Sequence, residues 1–189
     1  MLSFSDLQAD IVAALIRQGV AVQAFNQRTI AEIFDMIRLL GALVGAADQA
    51  DGLADELEAG IADARRRAMQ RSRRPLVYFE EWAEPMISGI AWVSELIEAA
   101  GGTDIFAERS AGKSAKERMV TAEEIIARQP DVIIGSWCGK KFRSGKVAAR
   151  PGFEQPLVEA EASRPTDSPD ALDYMFRGRA AMARPISVC

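Results

Sequence analysis

The sequence predicts an α/β protein. Two observations carry that expectation. Short apolar runs of strand length alternate with amphipathic stretches of helical period through the first 45 residues, and the same alternation returns after Pro75. Between the two lies a long charged stretch whose apolar residues form only a thin stripe. Strands joined by helical crossovers make parallel sheets, and a thin stripe on a long helix suits a strut between two lobes.

In chain order, Leu2 to Phe4 reads as the end of a strand. Ser5 and Gln8 have capping-box spacing, in which a hydroxyl and an amide three residues apart satisfy each other's orphan backbone donors. Leu7, Ile11, Ala14 and Leu15 follow at helical spacing, and Gly19 supplies the stop. Val20 to Phe25 reads as a second strand, and Thr29 with Glu32 as a second capping box. Ile30, Ile33, Phe34, Ile37 and Leu40 make the next apolar stripe.

Residues 48 to 72 read as one helix of about 35 Å at about 1.5 Å per residue. Its acids, Asp48, Asp51, Asp55, Glu56 and Glu58, fill the front half, and Arg65, Arg66, Arg67, Arg71, Arg73 and Arg74 crowd its end, which suits the helix dipole. With a net charge of −4 those arginines do not read as a nucleic-acid patch. Leu76 to Phe79 is a strand, Glu80 to Pro85 reads as a loop, and Ile90 to Ala100 is a helix stopped by Gly101 and Gly102. Residues 103 to 120 read as irregular. Thr121 and Glu124 make a third capping box for a short helix to Arg128, and Val132 to Ile134 is a buried strand. SRPTDSPDALD is turn and linker chemistry, so residues 156 to 189 are expected to pack poorly.

Chemistry is bounded first by what is missing. There is no histidine, which removes Ser-His-Asp and Cys-His catalysis and the commonest transition-metal ligand. The two cysteines, Cys138 and Cys189, make no disulfide framework. No apolar run approaches the roughly 20 residues that span a bilayer, and Met1 is not followed by a signal peptide, so the chain as written is expected to stay in the cytoplasm. AGKSAKE carries a GKS, but Ala107 stands where a P-loop needs its first glycine.

In an open α/β sheet ligands bind beyond the carboxyl ends of the strands. That rule collects Ser3–Ser5, Asn26–Arg28, Glu80–Trp92 and Ser136–Phe142, and the last two hold Trp82, Trp92 and Trp137. Aromatic faces beside fixed polar groups suit a pocket for a large, flat, partly apolar ligand; the bland alternative is that each tryptophan caps its own lobe. Glu80 and Glu81 are adjacent on a strand end and point apart, which argues against an acid/base pair. Cys138 has no histidine to activate it, although Lys140 or Lys141 could lower its pKa.

PLVYFEEWAEPMISGIAWVSELIEAAGGTDIF and ERMVTAEEIIARQPDVIIGSWCGKKF resemble the second lobe of ABC-transporter substrate-binding proteins of the vitamin B12 (cobalamin) and iron-siderophore type, the helical-backbone class. LSFSDLQADIVAALIRQGVAVQAFNQRTIAEIFDMIRLLGALVG resembles the later part of the first lobe. The resemblance covers about residues 2 to 154. It implies two Rossmann-like lobes joined by one long helix, with a partial first lobe over 1–46, the connecting helix over 47–74, the second lobe over 75–155 and an atypical tail over 156–189. It implies a non-enzymatic, periplasmic protein that needs no cofactor and binds cobalamin, haem or a ferric siderophore. Ligand would meet Trp82, Glu81, Trp137, Lys140, Lys141 and Phe142, and an ABC permease would dock on Glu123. It also implies that the family's opening strand–helix–strand, its leader and its ending are not in this chain, as in a truncated, non-functional copy. Two alternatives stand beside it: an interaction module that self-associates through the incomplete lobe, and a small α/β enzyme using Cys138, Lys140 and Glu81.

Overall fold

The computed structural model describes residues 2–3, 8–137, 140 and 142–153. Ser5 of the first expected capping box, Cys138, Lys141 and the 156–189 tail lie outside the described residues. The protein has an α/β fold made of two compact units, and the division falls between Ala64 and Arg65, inside one long helix.

The first unit opens with β1 (Leu2–Ser3), α1 (Ala9–Arg17) and β2 (Gln23–Ala24). β1 and β2 pair in parallel, Leu2 with Gln23 and Ser3 with Ala24. The second strand, Gln23–Ala24, is therefore much shorter than the apolar run from Val20 to Phe25 suggests, and among the described residues it pairs with two residues of β1. Ser3 Oγ donates to Gln8 Oε1 at 2.8 Å. α2 (Ile30–Leu43) starts on the expected capping box: Thr29 Oγ1 accepts the Glu32 N–H at 3.2 Å, and Glu32 accepts the Thr29 N–H at 3.0 Å. The Arg28 N–H, 2.6 Å from Glu32 Oε2, and then the Thr29 N–H hold the Glu32 carboxyl below its ordinary pKa. α3 (Ala47–Met69) crosses α2 closely where Gly41 lies on Ala50; a Cβ on Gly41 would overlap the alanine methyl. Arg38 of α2 reaches Asp51, Asp55 and Glu58 of α3 at 3.6, 3.1 and 2.9 Å, so three of the acids assigned to the helix dipole also gather round one guanidinium.

The second unit is built on β3 (Leu76–Ala83). The strand continues through Glu80, Glu81 and Trp82, which the sequence reading placed in a loop. It then turns at Glu84–Pro85, whose peptide bond is cis, into antiparallel β4 (Met86–Ser88). The missed hairpin has a physical reason. Charged residues interrupt the apolar run at Glu80, yet β3 is paired on both edges there, with Gly135 and with Ser88, so the backbone is satisfied without an apolar side chain. The register slips between Glu80 and Trp82, a bulge centred on Glu81 that re-aims the following side chains.

α4 (Ala91–Ala99) leads by Gly101, in the left-handed region at φ +87°, into β5 (Thr103–Asp104), parallel to β3. Residues expected to be irregular thus supply a strand, a one-turn helix α5 (Ala107–Ser110) and a 3₁₀ turn over Ala115–Arg118. α6 (Ala122–Arg128) starts on the expected Thr121–Glu124 capping box, and β6 (Val132–Gly135) pairs parallel to β3. α7 (Ser144–Ala148) follows. β3 therefore has β6 on one edge and β5 and β4 in succession on the other. Its side chains alternate between two buried clusters. Val77 and Phe79 pack with Val93, Ile97 and Val132, while Tyr78 packs with Phe106, Ile125, Ile133, Trp137 and Val147.

Candidate functional site

The site is traced from the carboxyl ends of β3 and β6, where the sequence reading placed Glu81, Trp82, Trp137, Lys140, Lys141 and Phe142. Lys141 lies outside the described residues. The three tryptophans do not share one face. Trp92 packs against the Val77–Phe79 cluster and Trp137 belongs to the Tyr78 cluster, on opposite sides of the sheet. The alternation of β3 separates them.

Trp82 is half-buried on the hairpin arm, and its indole N–H donates to the Glu84 carbonyl at 3.0 Å. Lys140 is exposed, with Nζ 4.6 Å from the centre of the Trp82 ring. Phe142 stands edge-on to Trp137, ring centres 5.1 Å apart at 68°. It lies across the end of β6, where a Cβ on Gly135 would overlap its ring, so the glycine is what lets the phenylalanine cover the strand. Trp137 itself is 9% exposed, so its ring serves the core more than the surface. Glu81, Trp82, Lys140 and Phe142 are the described candidates that reach solvent.

The two adjacent glutamates take different partners, as their alternation requires. Glu81, on the bulge, forms an ion pair with Arg118, whose Nη2 is 3.2 Å from Glu81 Oε1. Arg118 is 5% exposed and also donates to the Ser88 carbonyl at 2.6 Å, while Ser88 Oγ donates to the Arg118 carbonyl at 3.0 Å. These bonds tie the hairpin to the 3₁₀ turn. Glu80 is fully buried. Its carboxylate accepts two bonds from Arg150, at 2.5 and 3.0 Å, and one from Trp137 Nε1 at 2.8 Å, with the Tyr78 hydroxyl at 3.3 Å. Burial, and then the Glu80 charge, push the Tyr78 hydroxyl far above its ordinary pKa. Burial works against the Arg150 charge, but its bonds to Glu80 together with the Glu80 charge outweigh that and raise its pKa.

Sequence reasoning missed Arg118 and Arg150. One signal was available: a glutamate directly after LVYF in a strand needs a cation, since a buried charge persists only when paired. Nothing local says which arginine supplies it.

Glu123 sits exposed in the first turn of α6. Its own backbone N–H and then the Thr121 hydroxyl hold its carboxyl below its ordinary pKa. Its neighbour Glu124 closes the capping box and pairs with Arg109, which leaves Glu123 as the outward acid of the pair. In the first unit an open depression of about 330 Å³ lies at the carboxyl end of β2, lined among others by Phe25, Asn26, Asp35 and Met36. Among the described residues no group of three or more acids or thiols is placed to hold a metal ion, and no helix is long and apolar enough to cross a membrane.

Residues 2–157 match the family model described as periplasmic binding protein. Several solved structures share the fold. The ABC transporter substrate-binding protein from Listeria monocytogenes is 15% identical, with a TM-score of 0.68 over 95% of this chain and 73% of its own. A possible iron-binding (periplasmic solute-binding) protein from Staphylococcus epidermidis is 21% identical, with a TM-score of 0.62 over 81% of this chain and 60% of its own. The periplasmic vitamin B12 binding protein BtuF of Vibrio cholerae is 22% identical, with a TM-score of 0.54 over 68% of this chain and 49% of its own. The chain spans 60% and 49% of the length of the last two. No curated protein matches it in sequence.

Proposed function

The chain belongs to the periplasmic binding protein family, and from that premise we propose that it binds a large, flat, partly apolar ligand for an ABC importer. The family is one of binding proteins, not enzymes. The ligand class is a corrinoid, haem or ferric chelate: the neighbour from Vibrio cholerae is named for vitamin B12, that from Staphylococcus epidermidis for possible iron binding, and one from Roseiflexus for haem. The observation that carries this reading is the solvent-reaching group at the ends of β3 and β6. There the Trp82 ring lies under the Lys140 ammonium, and Phe142 is propped on Trp137. Aromatic faces would lie against a macrocycle, and the ammonium would meet a carboxylate or amide oxygen at its rim. Glu123, exposed at the start of α6, is the group we assign to a permease arginine. Family members work outside the cytoplasmic membrane, and we place this protein there.

Tryptophan fluorescence tests the ligand class directly, because Trp82 lies in the proposed contact. Titration with haemin, cyanocobalamin and a ferric hydroxamate is expected to quench emission with saturation for one of them. A folded protein that none of the three quenches sinks the reading.

A second reading, self-association through the first unit, is favoured by its exposed apolar side chains: Ile11 is 58% exposed, Ile16 57% and Val44 75%. Light scattering decides it, and a monomer at high concentration removes it.

A further inference from the structure

We propose that the Glu80–Arg150 pair is a clasp that positions Trp137, so that these two residues, which touch no ligand themselves, set where Lys140 and Phe142 stand. The proposal deepens the binding reading above and rests on it for its consequence, though not for its geometry.

The argument starts from where the bonds go. Glu80 gathers groups from three places in the chain. Tyr78 comes from its own strand, Trp137 from the exit of β6, and Arg150 from beyond α7, 70 residues along the chain. Trp137 precedes the candidate ligand residues and Arg150 follows them. The segment therefore begins and ends on one carboxylate. Just before it, Ser136 N–H donates to the Glu80 carbonyl at 3.0 Å; within it, Lys140 N–H donates to the Trp137 carbonyl at 3.0 Å, and Phe142 is braced on the Trp137 ring. Arg150 also stands 5.7 Å from the Phe153 ring centre, and Nη1 lies 3.5 Å from Met86 Sδ, so its guanidinium ties the returning chain to β4 as well.

A need for stability does not account for this arrangement. A buried ion pair is often no more stabilising than apolar residues of the same volume. What a bidentate arginine on a fully buried carboxylate supplies is direction. Two parallel bonds fix the orientation of both groups, and a third bond to Trp137 extends that fixity to the indole. Trp137 in turn sets Phe142, and its carbonyl sets Lys140. The Glu81–Arg118 pair does the same for the hairpin arm that carries Trp82, but one side of it is open to solvent, since the Glu81 side chain is 35% exposed. The Glu80 pair is the better insulated of the two, with Glu80 fully buried and the Arg150 side chain 19% exposed.

The test separates positioning from folding by replacing the pair rather than breaking it. In the ligand-free full chain, Glu80→Met with Arg150→Met is expected to keep a thermal midpoint near that of the parent. Amide exchange at Trp137, Lys140 and Phe142, followed by NMR, is expected to rise about tenfold while Ile133 and Ile134 of β6 stay protected. If the double variant does not fold, Arg150→Lys takes its place; it keeps the charge, loses the bidentate fork, and is expected to loosen the same three amides to a smaller degree. Haemin affinity by fluorescence should fall in step with the exchange. Unchanged exchange at the three amides in a folded variant overturns the clasp, as does a rise shared equally by Ile133 and Ile134. Selective loosening in a protein whose parent binds none of the three ligands upholds the clasp and removes the ligand reading.

Discussion

In the second unit β3 is paired along both edges, and every side chain from Val77 to Glu80 is buried; in the first, β1 and β2 pair over two residues and α1 buries none of its side chains. The contrast shows what a sheet needs before it can organise helices. α1 is strongly amphipathic, yet Ile11 and Ile16 remain more than half exposed because a two-residue ladder offers little surface to cover. α4 is no longer than α1, at nine residues each, but Val93 and Ile97 are sealed against Val77 and Val132 of a four-stranded sheet. In the second unit the Glu80 carboxylate is fully buried against an Arg150 side chain that is 19% exposed, a pairing that a dense core imposes because it leaves the charge nowhere else to go.

The largest expected effect tests that density. Arg150→Met leaves Glu80 as an uncompensated buried charge, and the second unit should lose about 3–5 kcal/mol in denaturant unfolding. A loss below about 1 kcal/mol would mean that water reaches Glu80 and the core is looser than described.

Next is a pair of matched truncations. Ile125→Ala, at a position 1% exposed, should cost about 2–5 kcal/mol. Ile11→Ala should stay within about 0.5 kcal/mol, as surface changes do. Comparable costs at the two positions would break the comparison by showing that α1 is covered in solution, as self-association would require.

The capping boxes sharpen it further, since Thr29 and Thr121 play the same part in the two units. Thr29→Ala and Thr121→Ala should each cost about 1 kcal/mol to the unit that holds them. Followed by probes placed separately in each unit, each change should shift its own transition and leave the other in place. A common shift would mean that the units unfold as one.

The smallest effect concerns pH. Burial raises the pKa of Asp104, and the N–H of Phe106 only partly offsets it. A raised folded-state value favours the protonated form in the folded protein, so this contribution is complete below the ordinary aspartate value, near pH about 4, and is lost as pH climbs through the raised one. Asp104→Asn should flatten that slope in the second unit and leave the first unit's pH response unchanged.

Several elements were legible in the sequence because their causes are local. Thr29 with Glu32 and Thr121 with Glu124 mark helix starts through contacts three residues apart, and both boxes formed. That α3 is one long helix followed from its charge gradient, although it ends at Met69, short of the expected residue 72, and VII read as a strand for want of any polar residue. Other features have causes that lie far along the chain. The strand through Glu80 to Ala83 exists because β4 and β6 pair with it, and of the apolar run at Val20 only Gln23 and Ala24 are strand, paired with Leu2 and Ser3 among the described residues.

The candidate site divides along the same line. That aromatic and cationic residues collect after β3 and β6 follows from strand ends and residue types, which the sequence determines. That Trp137 turns inward while Lys140 covers Trp82 follows from the carboxylate of Glu80, which is bonded to an arginine 70 residues away. Periodicity and capping are written over three or four residues and can be read there. The partner of a buried charge is chosen by the packing that removes water from it, and only the tertiary structure decides which guanidinium arrives.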